Sequence, residues 1–506
     1  MKIKDKTCIV FDIEVLKNIF TCTCKNTETG VIKVFEISSR KVDIQDLLDY
    51  FTQGCYFVGY NNHHYDNPVL NYIFSLYRKR YFEFFSTREI TESIFRMSQI
   101  VIDKNSNFEL WKEYKYTKNF LSIDLLTMLF SKALRVSLKE MQVTMQYKNV
   151  EEFVVDWKQD LPEKDMDRLI SYNINDVEST EELLYRCEKL LDIRVETERD
   201  FGLPCLSLDR VNLGDKLLQL KVMQKSGFTR DQLENMKSPM DRIDLEKVIF
   251  PFIKFNTPVL QKALQDMKNQ HNVSPGRKGY INTFIFGGME VTIGVGGIHG
   301  DNGCCSIKCN EDELLLDSDA NSLYPSLIAV YELYPPKLKS ILKEVYPEII
   351  QERLEFKRTK QKNKNETYKY MLNGVTGKMQ QEVSWLYAPF SIMQVRINGQ
   401  LLLLMLAERL LDLGCKLYQI NTDGILYKIK KDKYDKLQQV LKEWEELTKL
   451  TLETEQFTSF YQLAINDYFG VESDGNIKTK GFFLTDIELG RGLQPKIIPE
   501  AIMNYF

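Results

Sequence analysis

The sequence predicts a chain of mixed class, an α/β part followed by an α+β part, built as two or more domains. Its 506 residues exceed what one hydrophobic core ordinarily supports. Near the start, strand-like runs at residues 7–14 and 56–60 lead into a helix-like segment at 68–77. Far downstream, residues 417–427 read as strand, Asp-Gly turn and strand, the pattern of an antiparallel hairpin.

With 43% hydrophobic and 27% charged residues and no repeat, the composition is that of a folded globular protein and excludes disorder. A formal net charge of −4 excludes a coat of positive potential but leaves room for a local basic groove. The first residues are polar and charged and the cysteines are scattered, so a reducing cytoplasm is expected. Cys304, Cys305 and Cys309 have the short spacing of zinc ligands but no convincing fourth partner, which favours reduced thiols in a hairpin. The apolar run at 401–407 is too short to span a bilayer and ends in Glu408 and Arg409, so no membrane partner is expected.

In the first strand, Asp12 and Glu14 lie two apart and share one face. Two like charges at a strand end are costly unless a cation joins them, which points to metal binding. The second strand ends in the polar turn 61–66, placing Asp66 where strand hands over to helix. Residues 167–190 have helical period, with Tyr172 and Asp176 on one face. Asp124, in a short strand-like segment, either supports the same site or is structural.

Taken in order, Asp-x-Glu, Asn-x-x-Tyr-Asp and Tyr-x-x-x-Asp resemble the three exonuclease motifs of proofreading domains. The resemblance implies a ribonuclease-H-like fold holding two Mg²⁺ or Mn²⁺ ions, hard cations suited to oxygen ligands. It makes Asp12, Glu14, Asp66 and Asp176 the ligands, has Tyr172 orient the attacking water, and has Asn62 touch a single-stranded 3′ end. His63 and His64 are left as loop residues.

A second constellation begins with the apolar strand 314–316, followed by Asp317, Asp319 and a short turn into helix, where backbone N–H groups suit phosphate oxygens. Asp317 shares the face of Asp319 and reads as a solvated acid rather than an auxiliary ligand. Residues 319–325 resemble motif A, D-x-x-S-L-Y-P, of the family B DNA polymerases of bacteriophages. That resemblance makes Asp319 a metal ligand, has Ser322, Leu323 and Tyr324 line the nucleoside triphosphate, and makes Tyr324 the gate against a 2′-hydroxyl.

A basic helical hairpin is expected at 349–379, with Arg353, Lys357, Lys360 and Lys364 on one stripe. Its second half resembles motif B, K-x-x-x-N-S-x-Y-G. By that match Lys369 and Asn373 face the triphosphate, Arg353 and Lys357 join them, and Gly377 lets the template base pair approach. Gly374 and Thr376 replace the family's serine and tyrosine.

The hairpin at 417–427 resembles motif C, Y-x-D-T-D-S, with Asp423 as the second catalytic carboxylate and with departures at Gln419, Asn421 and Gly424. Asp319 and Asp423 would then hold two Mg²⁺ or Mn²⁺ ions. Residues 294–299 resemble the Y-x-G-G segment, in which Gly296 and Gly297 contact template, with Gly294 in the tyrosine's place. Residues 478–481 resemble the lysine motif, in which Lys478, Lys480 and Gly481 hold primer phosphates.

Together the resemblances imply a 3′→5′ proofreading exonuclease domain at 1–190 and a helical outer palm or connecting region at 191–290. A first part of the palm follows at 291–345, short fingers at 346–379 and a second part of the palm at 380–506. They imply template-directed addition of dNTPs to a primer 3′-OH, with primer-template DNA as partner and a processivity factor or other replisome proteins as further candidates. Little room follows motif B for the insertion that gives protein-primed phage polymerases strand displacement. The lysine motif lies close to Phe506, where the family continues into a thumb, so a thumb is expected to be absent, truncated or supplied elsewhere. The alternative is an exonuclease-dominant or truncated form with weak synthesis. A dedicated exonuclease leaves Tyr324, Lys369 and Asp423 unexplained, a non-catalytic DNA-binding scaffold leaves both acid sets unexplained, and a reverse transcriptase shares a palm but not the exonuclease motifs or the S-L-Y-P segment.

Overall fold

A computed structural model of the chain describes residues 1–116, 119–130, 136–276, 279–484, 488–491 and 496–506. The chain divides into two units, Met1–Leu213 with Ile487–Gln494 and Gly214–Asp486 with Pro495–Phe506, and both mix helix and sheet as the sequence predicts.

In the first unit, β1 (Lys2–Ile3), β2 (Lys6–Leu16), β3 (Ile19–Asn26), β4 (Ile32–Ile37), β5 (Tyr56–Gly59) and β6 (Leu121–Asp124) form one sheet. Its order is β4-β3-β2-β5-β6, with β1 paired to β2. β2, β3 and β4 are antiparallel, whereas β5 runs parallel to β2 and β6 to β5, so helices such as Asp66–Arg78 fill the crossovers. The alternation of β2 splits its side chains between two cores. Ile9, Phe11 and Ile13 enter one with Phe51, Phe57 and Phe74, where the Phe51 and Phe57 rings stack at 4.0 Å. Cys8 and Val10 enter the other with Val58, Ile123 and Val177 of helix Glu163–Arg186. Asp12 and Glu14 continue that second row, so the acids stand where the row would otherwise be apolar.

This unit runs past the boundary expected at 190. Helix Glu188–Phe201 carries the buried Arg194, whose guanidinium donates to the carbonyl oxygens of Leu208 at 2.7 Å and Met128 at 3.2 Å. A buried guanidinium satisfied by carbonyls ties the following segment to the first unit.

In the second unit, ten antiparallel strands form one sheet: β7 (Ile281–Phe286), β8 (Met289–Gly294), β9 (His299–Asp301), β10 (Cys305–Lys308), β11 (Glu313–Ala320), β12 (Lys416–Asn421), β13 (Gly424–Lys430), β14 (Leu452–Ala464), β15 (Asp467–Glu472) and β16 (Ile477–Lys480). The order is β16-β15-β14-β11-β13-β12-β9-β8-β7, with β10 on β14. Leu315, Leu426, Phe457 and Phe460 build a core on one face. Helix Pro389–Asp412 contains the apolar run seen in the sequence. Among the described residues it alone is long and apolar enough to cross a membrane, and 83% of its apolar window is buried inside the protein. Trp444 Nε1 donates to its Leu402 carbonyl at 2.9 Å, as expected of a core helix.

The expected basic hairpin is present but begins at Lys339: helices Lys339–Arg358 and Lys362–Met379 flank a turn in which Lys360 has φ 57°. The single stripe is therefore a misreading. Arg353 and Lys357 lie on the first helix, Lys364 on the second, and Lys360 in the left-handed turn between them. The region expected as a helical outer palm is also only partly so. Helix Arg210–Ser226 braces the hairpin through Lys221 to Glu352 and Lys225 to Glu348, both 2.7 Å. Gly214 permits this approach, because a Cβ there would lie 2.1 Å from the Tyr370 carbonyl oxygen. Between helices Arg230–Glu234 and Pro258–Lys268 the chain is irregular apart from the short 3₁₀ turn Leu245–Lys247, in keeping with Pro239 and Pro251.

Candidate active sites

In the first unit, the end of β2, the start of helix Asp66–Arg78 and helix Glu163–Arg186 bring Asp12, Glu14, Asp66 and Asp176 into mutual electrostatic range. Burial, then the charges of Asp66, Glu14 and Asp176, hold the Asp12 carboxyl well above the usual range. Burial followed by Asp176 and Asp66 pushes Glu14 up to about 8, and burial pushes Asp66 up to about 7 although the Ile13 N–H donates to it at 3.2 Å. Asn173 Nδ2 donates to Asp12 at 2.6 Å. Lys139 of helix Leu138–Thr144 donates to Asp176 at 2.5 Å, and its ammonium lies 4.4 Å from the Tyr172 ring centroid. One ammonium against four carboxylates leaves surplus negative charge on hard oxygen atoms, a donor set that fits divalent cations.

The sequence reading missed Asn173 and Lys139. Asn173 adjoins Tyr172, but nothing local marks Lys139, since the Ser137 and Glu140 capping box fixes only where its helix starts.

Two expectations at the turn after β5 change. Asn62 is fully buried and donates to Ser122 Oγ at 2.8 Å, so it braces the turn and does not offer its amide to a 3′ end. Asp124 takes the structural role of its two readings, accepting from the N–H groups of Asn61 and His63 at 3.0 Å each and capping the helix that follows. His63, His64 and Tyr65 instead line a groove of about 1290 Å³ within this unit.

The raised carboxyls have a stability consequence. Protonation of Glu14 and Asp66 is favoured by folding, so their contribution is fully present near pH 4 and is lost as pH rises through about 7 and 8. Without divalent cations the thermal midpoint is expected to fall between pH 5 and pH 8.5, and Mg²⁺ or Mn²⁺ to flatten that fall by replacing the protons. Thermal denaturation over this range checks it; a pH slope unchanged in Glu14→Gln would count against it.

In the second unit, Asp319 near the end of β11 stands in register with Gly424, beside the turn that carries Asp423, and the Ala320 N–H donates to the Asp423 carbonyl at 2.7 Å. Burial and then the Asp423 charge push Asp319 up to about 6. Asp317 is not the solvated acid expected. It is 7% exposed and pushed up to about 7 by burial and then Asp319, because β14 covers it. Glu455 and Glu453 of β14 stand opposite Asp317 and Asp319, and both were missed although their spacing of two puts them on one strand face.

The departures in motif C have physical reasons. A Cβ on Gly424 would lie 1.5 Å from Asp319 Oδ1, so a serine there displaces the carboxylate. If Asp319 holds a catalytic metal for primer extension, Gly424→Ser is therefore expected to slow that reaction about a hundredfold, as a misplacement of about 1 Å does. Extension at wild-type rate in that variant would refute the placement of Asp319. Asn421 Nδ2 donates to Asn466 Oδ1 at 2.9 Å, which a carboxylate there could not do, and Gln419 Nε2 donates both to the Ile465 carbonyl at 2.8 Å and to Gln462 Oε1 at 3.0 Å, where a phenol has a single O–H. Likewise a Cβ on Gly294 would meet the Tyr280 carbonyl at 2.2 Å, leaving no room for tyrosine.

Ser322, in the left-handed region at φ 49°, precedes helix Leu323–Val330 without a side-chain capping bond, with Leu323 buried and Tyr324 half-buried. Arg396, missed by the sequence reading, reaches the Val295 carbonyl at 3.4 Å and Gln380 Oε1 at 2.5 Å, and its charge acts on Tyr324. Lys369, Asn373 and Gly377 follow one another at intervals of four along helix Lys362–Met379 and share a face. Lys369 pairs with Glu366 at 3.4 Å, Arg353 Nε donates to Asn365 at 3.4 Å, and Lys357 is exposed. Gly296 and Gly297 form the turn after β8, Gly297 at φ 132°. Lys478 and Lys480 lie on β16, and Gly481 follows at φ 62°, where a Cβ would meet the Asn466 carbonyl at 2.1 Å. Cys304 is exposed, while Cys305 and Cys309 pack half-buried against the core of Ile307 and Phe457.

No family model matches the chain, and no curated protein matches it. Among solved structures, the chain is similar to the family B DNA polymerase from the hyperthermophilic archaeon Pyrobaculum calidifontis, with a TM-score of 0.49 and 16% identity. The match covers 99% of this chain and 64% of that one, so the chain spans less than two thirds of that protein's length. A likeness of this degree leaves the function to the residues themselves.

Proposed function

We propose that the chain is a DNA polymerase of the family B type found in phages, with a 3′→5′ proofreading exonuclease in its first unit and a palm with short fingers in its second. The observation that carries this reading is the pair of separate acid sets, each crowding carboxylates beyond what its neighbouring lysines neutralise. Two Mg²⁺ or Mn²⁺ ions held by Asp12, Glu14, Asp66 and Asp176 in one set, and by Asp319 and Asp423 in the other, would supply Lewis acidity at the attacking and leaving oxygens.

The chain's own residues do the rest. Tyr324 closes the space a 2′-hydroxyl would need, and Ser322 and the N–H groups after it meet phosphate oxygens. Lys369, with Asn373, Arg353 and Lys357, grips the triphosphate, and Gly377 gives way to the template base pair. Gly296 and Gly297 meet template, while Lys478, Lys480 and Gly481 hold the primer backbone. In the first unit, Tyr172 orients the attacking water, and the strand end lies along the groove of His63 and Tyr65. Replisome partners and a cytoplasmic site of action belong to the same reading.

The test is one labelled primer-template, incubated with dNTPs and Mg²⁺ and then with Mg²⁺ alone. Extension in the first and shortening from the 3′ end in the second are expected, and a chain that does neither is not this enzyme. Asn421 brings no charge to motif C, which favours as second reading an exonuclease-dominant form, recognisable by shortening that persists at saturating dNTP.

A further inference from the structure

Lys478 does not stand alone beside the second acid set. Its ammonium pairs with Glu455 and lies 3.9 Å from Asp317 Oδ2, and it sits 5.9 Å from the centroid of the Phe457 ring. Asp317 and Glu455 face each other in register across β11 and β14. Two carboxylates so placed, one of them buried, repel unless a proton or a cation lies between them, and Lys478 supplies the cation. Lys480, two residues on, is turned instead toward the Tyr468 ring at 5.4 Å.

We propose that Asp317 and Glu455 are positioning residues for Lys478. This rests on the polymerase reading, in which that lysine meets the primer backbone. A lysine stem loses rotamer freedom when it is fixed on a phosphate, and fixing it beforehand removes that cost from DNA binding. Glu455 is a half-exposed tether and Asp317 a buried one, so the rigid β11 strand sets the direction in which the ammonium points, beside Asp319. The buried acid is thus explained by the lysine it orients and needs no ion of its own.

A double-mutant cycle separates this from a packing role. Primer-template affinity is measured by fluorescence anisotropy on the full chain at fixed salt without divalent cations, for wild type, Asp317→Asn, Lys478→Met and the double variant. Asp317→Asn is expected to weaken binding about fivefold, the loss of one charge-assisted contact, and to cost nothing further in the Lys478→Met background. The KM for dNTP, measured with Mg²⁺, stays within about twofold of wild type, since a DNA-binding loss does not touch nucleotide binding. Equal losses in both backgrounds overturn the proposal, as does a raised KM for dNTP with DNA affinity intact, which would assign Asp317 to Asp319 instead. Glu455→Gln, at the more exposed position, carries the same cycle should Asp317→Asn not fold. Absence of extension by the wild type sinks the polymerase reading, whereas the binding cycle still reports on the lysine.

Discussion

Asp423→Ala is expected to abolish primer extension, by on the order of a thousandfold or about 4 kcal/mol of barrier, while 3′-end degradation continues. Asp423 is exposed in a two-residue turn and packs into no core, so its removal leaves stability near wild type. The loss in rate is then chemical. No neighbour compensates, because Asn421 is an amide already spent on Asn466 and Ile465, and the Thr422 hydroxyl donates to Asn421 and carries no charge. Asp319→Ala is expected to match it; Asp319 is half-buried against Gly424, and either substitution removes the repulsion between the two carboxylates along with a ligand. Gel-resolved extension of a labelled primer checks both; residual synthesis above about a tenth of wild type, where a thousandfold loss is expected, would exclude Asp423 from the reaction.

Much of the two sites was legible because period two and motif order are local properties. Asp12 with Glu14, and Asp317 with Asp319, could be put on common faces before any partner strand was known. What failed depended on which distant segment covers them. Asp317 looked solvated because nothing near it in sequence announces β14, whose register with β11 buries it under Glu455 and brings Lys478 over it. Asn62 looked like a ligand contact because a polar residue in a turn is usually exposed, and Ser122 on a strand far along the chain turns it inward. Lys139 reaches Asp176 from a helix with no motif of its own. The basic stripe failed for a local reason, the left-handed Lys360, a conformation that lysine seldom adopts and that its neighbours do not advertise. The glycines at 294 and 424 read as departures from a pattern, yet each lies against an atom that a Cβ would strike.

Asp12→Ala is expected to remove 3′-end degradation by on the order of a thousandfold, again about 4 kcal/mol, and to make the cation-free protein more stable at the same time. The two effects share one cause. Asp12 is half-buried beside Asp66, Glu14 and Asp176, and its ionised form is disfavoured by all three. Deleting it relieves repulsion that only a bound cation would otherwise offset, so the thermal midpoint rises most at pH 8, where Glu14 and Asp66 are losing their protons. Asp66→Ala is expected to be as inactive but not as stable: each substitution strands one buried donor, Asn173 Nδ2 for Asp12 and the Ile13 N–H for Asp66, at about 1–3 kcal/mol, but the Asp12 carboxyl is the one raised by the charges of three others, so its removal brings the larger relief. The ordering Asp12→Ala above Asp66→Ala in midpoint, with both blank in degradation and both extending primers, separates an acid set built to hold cations from one that merely packs. Degradation retained in either variant would remove these residues from the reaction, and a midpoint lowered by Asp12→Ala would show that the four carboxylates do not repel as their burial requires.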